Sequence, residues 1–155
     1  MNTYELLENE ACMEGIDIID YDFESENIKG LYCDGAVGLS KSLETTAEKT
    51  CILAEELGHH YTSSGDILDQ INVFNRKQEL RARLWAYNKQ IGLSGIIQGF
   101  RAHCQNRYEL AECLGVTEEF LQEALDCYKA KYGLCVELDD YVIFFEPALA
   151  VMEKF

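Results

Sequence analysis

The sequence predicts an α+β fold in a single domain, mainly helical with a small N-terminal β-sheet, and three observations carry that reading. Apolar residues return at helical spacing over most of the stretch from about residue 43 to 133. Alternation of apolar with polar residues is confined to residues 15–23 and 29–40, ahead of those helices, and to a short stretch near the end. The chain has 155 residues and is 48% hydrophobic, long enough for one well-filled core and too short to expect two independent ones. Residues 1–155 are therefore read as one domain.

Taken in order, residues 2–14 place Tyr4, Leu7 and Ala11 at helical intervals. "GIDIIDYDF" (15–23) alternates Ile16, Ile18, Tyr21 and Phe23 with acids and reads as a strand with one irregularity. "KGLYCDGAVGLS" (29–40) reads as two short strands around the turn signal Asp34-Gly35. Leu43 to Tyr61 is helical, with Thr45 or Thr46 and Glu48 offering an N-terminal cap, and "SSGD" at 63–66 breaks the chain. A long helix is expected from about Asn75 to Cys104, weakened between Gly92 and Gly99. "NRYELAECLG" and "VTEEFLQEALDCYKAKYG" form two helices joined at Gly115, the second capped by Thr117 and ended by Gly133. The last stretch predicts a hairpin turning at Asp139-Asp140, then a helical tail after Pro147, the single proline.

Charge and cysteine usage narrow the function classes. The balance of 13 basic and 28 acidic residues, −15 net, argues against broad binding to nucleic acid or anionic membranes, since both are negative surfaces. Seven cysteines, an odd number without a C-x-x-C pair, fit reduced thiols better than a disulfide framework or a cysteine zinc site. The first fifteen residues lack the basic and apolar regions of a signal peptide. No stretch approaches the roughly 18 consecutive apolar residues of a membrane span, so a cytoplasmic protein is expected. One segment is basic: Arg76, Lys77, Arg81, Arg83 and Lys89 surround the single acid Glu79, and a solvated helix face is the plain expectation for such a run.

The chemistry concentrates in "ILAEELGHHYTSSG", residues 52–65. Residues four apart on a helix project from one face, so Glu55 and His59 are placed to share one ion, as the two histidines of H-E-x-x-H do. Glu56 stands beside them, positioned to act on a water. Both carboxylates extend a face of small and apolar residues, where an unpaired charge is costly. Gly58 inside a helix costs about 1 kcal/mol relative to alanine and calls for a reason, such as the close approach of another group. A metal site of this kind needs a third protein ligand. Glu79, which along a helix shares a face with Ala82 and Ala86, is placed to supply it if that helix packs on the first through its small residues.

These two segments resemble the ImmA/IrrE family of zinc-dependent endopeptidases. "LAEELGHH" (53–60) is similar to the family's L-A-H-E-L-G-H-H/Y helix, and "ELRARLWA" (79–86) to its E-x-x-A-x-x-F-A segment, with Glu79, Ala82, Trp85 and Ala86 at the matching positions. "KGLYCDGAVGLSKSL" resembles the strand pair that precedes the motif helix. The likeness spans about residues 15–150 and departs at one position, where Glu55 replaces the first histidine. It implies a zincin-like active-site helix with Zn²⁺ as cofactor. His59 and Glu79 are implied as metal ligands, Glu55 as the variant third ligand and Glu56 as the general base. The implied substrate is a protein, a transcriptional repressor encoded beside the peptidase in a phage or mobile element.

The substitution has a chemical consequence. With two histidines and one carboxylate a Zn²⁺ site has a formal charge of 2 − 1 = +1, and with Glu55, His59 and Glu79 it has 2 − 2 = 0. A less positive ion acidifies its bound water less, so weaker turnover at neutral pH is expected, or a preference for Mn²⁺ or Fe²⁺. The arginines near Glu79 would offset the lost charge, and His60, Tyr61 and His103 are candidate oxyanion donors. Two other readings remain. The chain would act without cleavage, as a pseudoprotease that binds a regulatory partner. Alternatively "ELAECLGVTEEFLQEAL" would serve as a DNA-binding helix-turn-helix, a reading weakened by the acids Glu118, Glu119, Glu123 and Asp126 along its second helix.

Overall fold

The computed structural model describes residues 1–62 and 72–154, with side chains from residue 76 onward in the second stretch. The expected break at residues 63–66 lies outside them. The chain divides into two compact units, Met1–Ala86 and Tyr87–Phe155.

The first unit opens with helix α1 (Thr3–Met13). Asn2 caps it by accepting from the Glu5 amide at 2.8 Å, while Glu5 accepts from the Asn2 amide, a reciprocal box that satisfies two end donors. Leu7 and Ala11, four apart, are its buried stripe. Strands β1 (Asp17–Tyr21), β2 (Gly30–Cys33) and β3 (Ala36–Ser40) make a sheet in the order β1-β3-β2. β3 lies parallel to β1, in register from Asp17↔Ala36 to Tyr21↔Ser40, and antiparallel to β2. The hairpin between β2 and β3 turns on Asp34 and Gly35, both at positive φ (46° and 76°), the backbone that a two-residue turn of this hand demands. Val37 and Leu39 of the central strand are fully buried.

Helix α2 (Thr46–Thr62) follows, capped by Thr45, whose hydroxyl accepts from the Glu48 amide at 3.1 Å. Cys51, Leu53, Ala54 and Leu57 are buried along it. Helix α3 (Asn72–Gln90) carries the second motif, and the division between the units falls inside it.

In the second unit the expected long helix to Cys104 is two helices. α3 stops at Gln90 and α4 (Gly92–Arg101) begins at Gly92, whose φ of 62° no continuous helix tolerates. The Gly92 amide, freed from helical pairing, donates to the Tyr128 hydroxyl at 3.2 Å. Helices α5 (Arg107–Leu114) and α6 (Glu118–Tyr132) are joined as expected, with Gly115 left-handed at φ 71° and Thr117 accepting from the Phe120 amide at 3.1 Å. Strands β4 (Cys135–Leu138) and β5 (Tyr141–Phe144) form the expected hairpin.

The tail after Pro147 is not helical. It is strand β6 (Ala150–Glu153), antiparallel to β5, giving a second sheet ordered β4-β5-β6. Its residues favour helix locally, but fewer than two turns of isolated helix do not overcome the cost of nucleation. Pairing with β5 satisfies the backbone at once and sets Val151 opposite the fully buried Ile143. The fold is thus α+β with helices dominant. No helix among the described residues is long and apolar enough to cross a membrane.

Candidate active site

The site is built by the close approach of α2 and α3 in the first unit. A Cβ added at Gly58 would lie 2.2 Å from the Ala82 carbonyl oxygen, so α3 backbone occupies the space a side chain would need. Ala82 and Ala86, one turn apart, are fully buried. This explains the glycine within α2 and the alanines of α3 together: small residues on both sides let the two backbones touch.

The contact delivers His59 to Glu79. The imidazole Nε2 lies 3.0 Å from Glu79 Oε2, and Arg83 Nε is 3.6 Å from the other carboxylate oxygen. Donating a hydrogen bond to Glu79 raises the His59 pKa above its usual value; burial opposes this, and the charges of Glu79, Glu56 and Glu55 reinforce it. The same hydrogen bond holds the Glu79 carboxyl below the usual carboxylate range, against the effect of burial. One turn back along α2, burial pushes the Glu56 carboxyl up, opposed by the positive charge of His59 and reinforced by Glu79. His59 thus responds to both Glu79 and Glu56, and Glu56 responds to both His59 and Glu79.

Strand β2 closes one side. A Cβ at Gly30 would meet Ile52 Cγ2 at 2.5 Å and Glu56 Cγ at 3.1 Å, so glycine is what lets β2 lie against α2. Tyr32 follows, and its main-chain N–H donates to the Glu56 carboxylate. Its hydroxyl is hydrogen-bonded to His60 Nδ1 at 2.7 Å. Aromatic contacts continue from there: His60 is edge-on to Tyr61 at 4.9 Å, and Tyr61 stacks on Trp85 at 4.9 Å and 20°.

Of the residues singled out by sequence, Glu56, His59 and Glu79 are brought together. Glu55 is half-buried on α2 and acts on His59 through its charge. His60 is engaged by Tyr32 and Tyr61 by Trp85, while His103 sits in the second unit at φ 62° in the turn after α4. Arg76, Lys77, Arg81, Arg83 and Lys89 are exposed, as a solvated face requires, and Arg83 alone among them has a described ion pair in the cluster. Sequence reasoning missed Tyr32. Its signal was Gly30 two residues earlier, since glycine inside a strand marks close approach of another element.

The pair His59–Glu79 fits two corners of a metal site. Donors bound to one tetrahedral ion at about 2.0 Å stand roughly 3.3 Å apart, and these two are 3.0 Å apart. A catalytic ion takes three protein ligands. Among the described residues no group of three or more His, Cys, Asp or Glu side chains is gathered to hold a metal. As it stands, the cluster is a hydrogen-bonded histidine–carboxylate pair with a second, protonation-prone carboxylate beside it. Compared with family models, curated proteins and solved structures, the chain matches none.

Proposed function

We propose that this chain is a metal-dependent endopeptidase of the ImmA/IrrE type. In this reading His59 and Glu79 hold a divalent ion, Zn²⁺ or with a neutral ligand set Mn²⁺ or Fe²⁺, Glu55 completes the ligands, and Glu56 is the general base. The observation that supports it most is the Gly58–Ala82 contact, which brings His59 to 3.0 Å from Glu79 across two helices. A solvated helix end needs no such approach, and the sacrifice of a side chain at Gly58 is hard to understand without it.

When bound, the ion would polarise a peptide carbonyl and acidify a water. The protein's own groups supply the rest. Glu56, whose carboxyl burial pushes up, is the group that would take a proton from a water and return it to a leaving amine, the double role of a general acid–base group. Arg83 holds Glu79 from the outer side, fixing its orientation as outer-shell partners of metal ligands do. The resemblance further assigns the substrate as a repressor protein of a phage or mobile element.

A second reading, a pseudoprotease that binds its partner without cleaving it, is favoured by one observation: three donors are not gathered among the described residues. Metal analysis by mass spectrometry, together with cleavage of a candidate repressor, separates the two. The peptidase reading expects about one divalent ion per chain, lost in His59→Ala and Glu79→Ala but kept in Glu56→Gln, with cleavage abolished in all three. A protein that binds no divalent ion and cuts nothing, yet still binds the repressor, would establish the second reading instead.

A further inference from the structure

We propose that Cys104 and Cys113, in the second unit, form a dithiol site that a small cationic disulfide oxidises to an intramolecular disulfide. Cys104 lies in the turn after α4, where His103 takes the left-handed φ of 62°. Its Sγ is 3.7 Å from the Glu109 carbonyl oxygen. On α5 that carbonyl is the one the Cys113 amide meets one turn later, so the Cys104 sulfur is carried to the turn that bears Cys113. The Cys113 thiol is near enough to act on the Cys104 thiol, whose pKa it helps to raise.

The packing explains why they meet. A Cβ at Gly99 would lie 2.2 Å from Leu110 Cδ1 and 3.9 Å from Cys104 Sγ. Glycine in α4 thus admits Leu110 of α5 and seats Cys104 at the same junction. Cys104 is half-buried in the wall of a cavity of about 600 Å³, whereas Cys113 is exposed. Of the two thiols Cys113 is the exposed one, so Cys113 is where a reagent enters.

The exchange balances. The Cys113 thiolate attacks the small disulfide, forming a mixed disulfide and releasing one thiol. The Cys104 thiolate then attacks the Cys113 sulfur and releases the second. Two protein thiols are oxidised, the reagent disulfide is reduced to two thiols, and the two protein protons end on those thiols. Glu109 and Glu112 flank Cys113 on α5, and the chain carries −15 overall. A cationic disulfide such as cystamine is therefore drawn in, and the anionic glutathione disulfide is disfavoured. The new bond would tie the turn after α4 to α5 at the cavity wall.

The test equilibrates the full chain in cystamine–cysteamine buffers of rising oxidising ratio, followed by acid quench and peptide mass mapping. The expected result is a loss of about 2 Da localised to a Cys104–Cys113 cross-link, formed at a lower ratio than any other protein disulfide. Cys104→Ser should stop at the mixed disulfide on Cys113, and Cys113→Ser should slow modification of Cys104 by about tenfold or more. Phenylarsine oxide, which bridges paired thiols, gives an independent reading: one equivalent should bind the wild type at this pair and none there in either variant. A wild-type protein that stops at the mixed disulfide, that cross-links other cysteines first, or whose arsenical binding survives in the variants, would overturn the proposal.

Discussion

Gly58 and Glu55 are the two residues on which the site turns, and they test different things. At Gly58 the obstacle is main chain: the added Cβ of alanine would lie 2.2 Å from the Ala82 carbonyl oxygen, and no rotamer change relieves a clash with backbone. Alanine would gain about 1 kcal/mol in helix propensity, but forced overpacking costs typically 1–3 kcal/mol. Gly58→Ala is expected to lower stability in urea melts and to weaken the His59–Glu79 contact; a more stable protein would mean the helices do not touch there. At Glu55 the issue is ligation. Glu55→His rebuilds H-E-x-x-H and restores the formal +1, so in the peptidase reading the rate limb governed by the water should move to lower pH and cleavage at neutral pH should hold or rise. The control is Glu55→Ala. If it keeps unchanged metal affinity and an unchanged pH profile of cleavage, Glu55 is not a ligand.

The pairing of α2 with α3 depends on charges whose signs are known. In the metal-free protein the His59 pKa is raised above 6.5. Its stabilising contribution is fully present below about pH 6.5 and disappears as pH rises through the folded-state value. Glu79 is lowered below 4.5, so its contribution is present above that value and lost as pH falls through the folded-state value. Glu56, raised by burial, shifts the balance the same way as His59. The stability difference between wild type and Glu79→Gln, both freed of metal by chelation, should therefore be greatest between about pH 4.5 and 6.5 and shrink toward pH 8. The Glu79 side chain is 46% exposed and that of His59 23%, so the maximum is expected at about 0.5–1 kcal/mol. A difference that grows with pH above 7 would contradict the assignment of a protonated His59 to this pair. Much of this element-level picture was legible in the sequence, because Gly58, Ala82, Ala86 and the four-residue spacings are local patterns with a steric meaning. The α5–α6 junction and both hairpins were legible for the same reason, through their capping residues and turn signals. What was not legible depended on partners distant in sequence. Strand β6 is decided by the open edge of β5, the end of α3 by the backbone at Gly92 with its Tyr128 partner, and the role of Tyr32 by where β2 lies on α2.

At the scale of the whole molecule the dominant quantity is charge. The α5–α6 junction has the sequence order of a helix-turn-helix, with Gly115 in the turn and Thr117 capping the second helix. Its surface argues against that role. Phe120, Leu121, Ala124 and Leu125 of α6 are buried, which leaves Glu118, Glu119 and Asp126 exposed on the face that would meet DNA. Arg107, the cation nearest in sequence to this junction, is already paired with Glu118. A protein gains affinity for a duplex by neutralising phosphates and releasing their counterions, and each acid on the docking face works against that term. With −15 on the chain as a whole, no long-range attraction would assemble the complex first. Fluorescence anisotropy with labelled duplexes of mixed sequence at about 0.15 M salt should therefore detect no binding tighter than roughly 10⁻⁴ M, the weak end of ordinary non-specific affinity. Lowering the salt to about 0.05 M should not recover it, because the expected salt slope is near zero when no phosphates are neutralised. Tight binding that weakens steeply with added salt would show that a basic face forms after all, and would make α6 a recognition helix despite its acids.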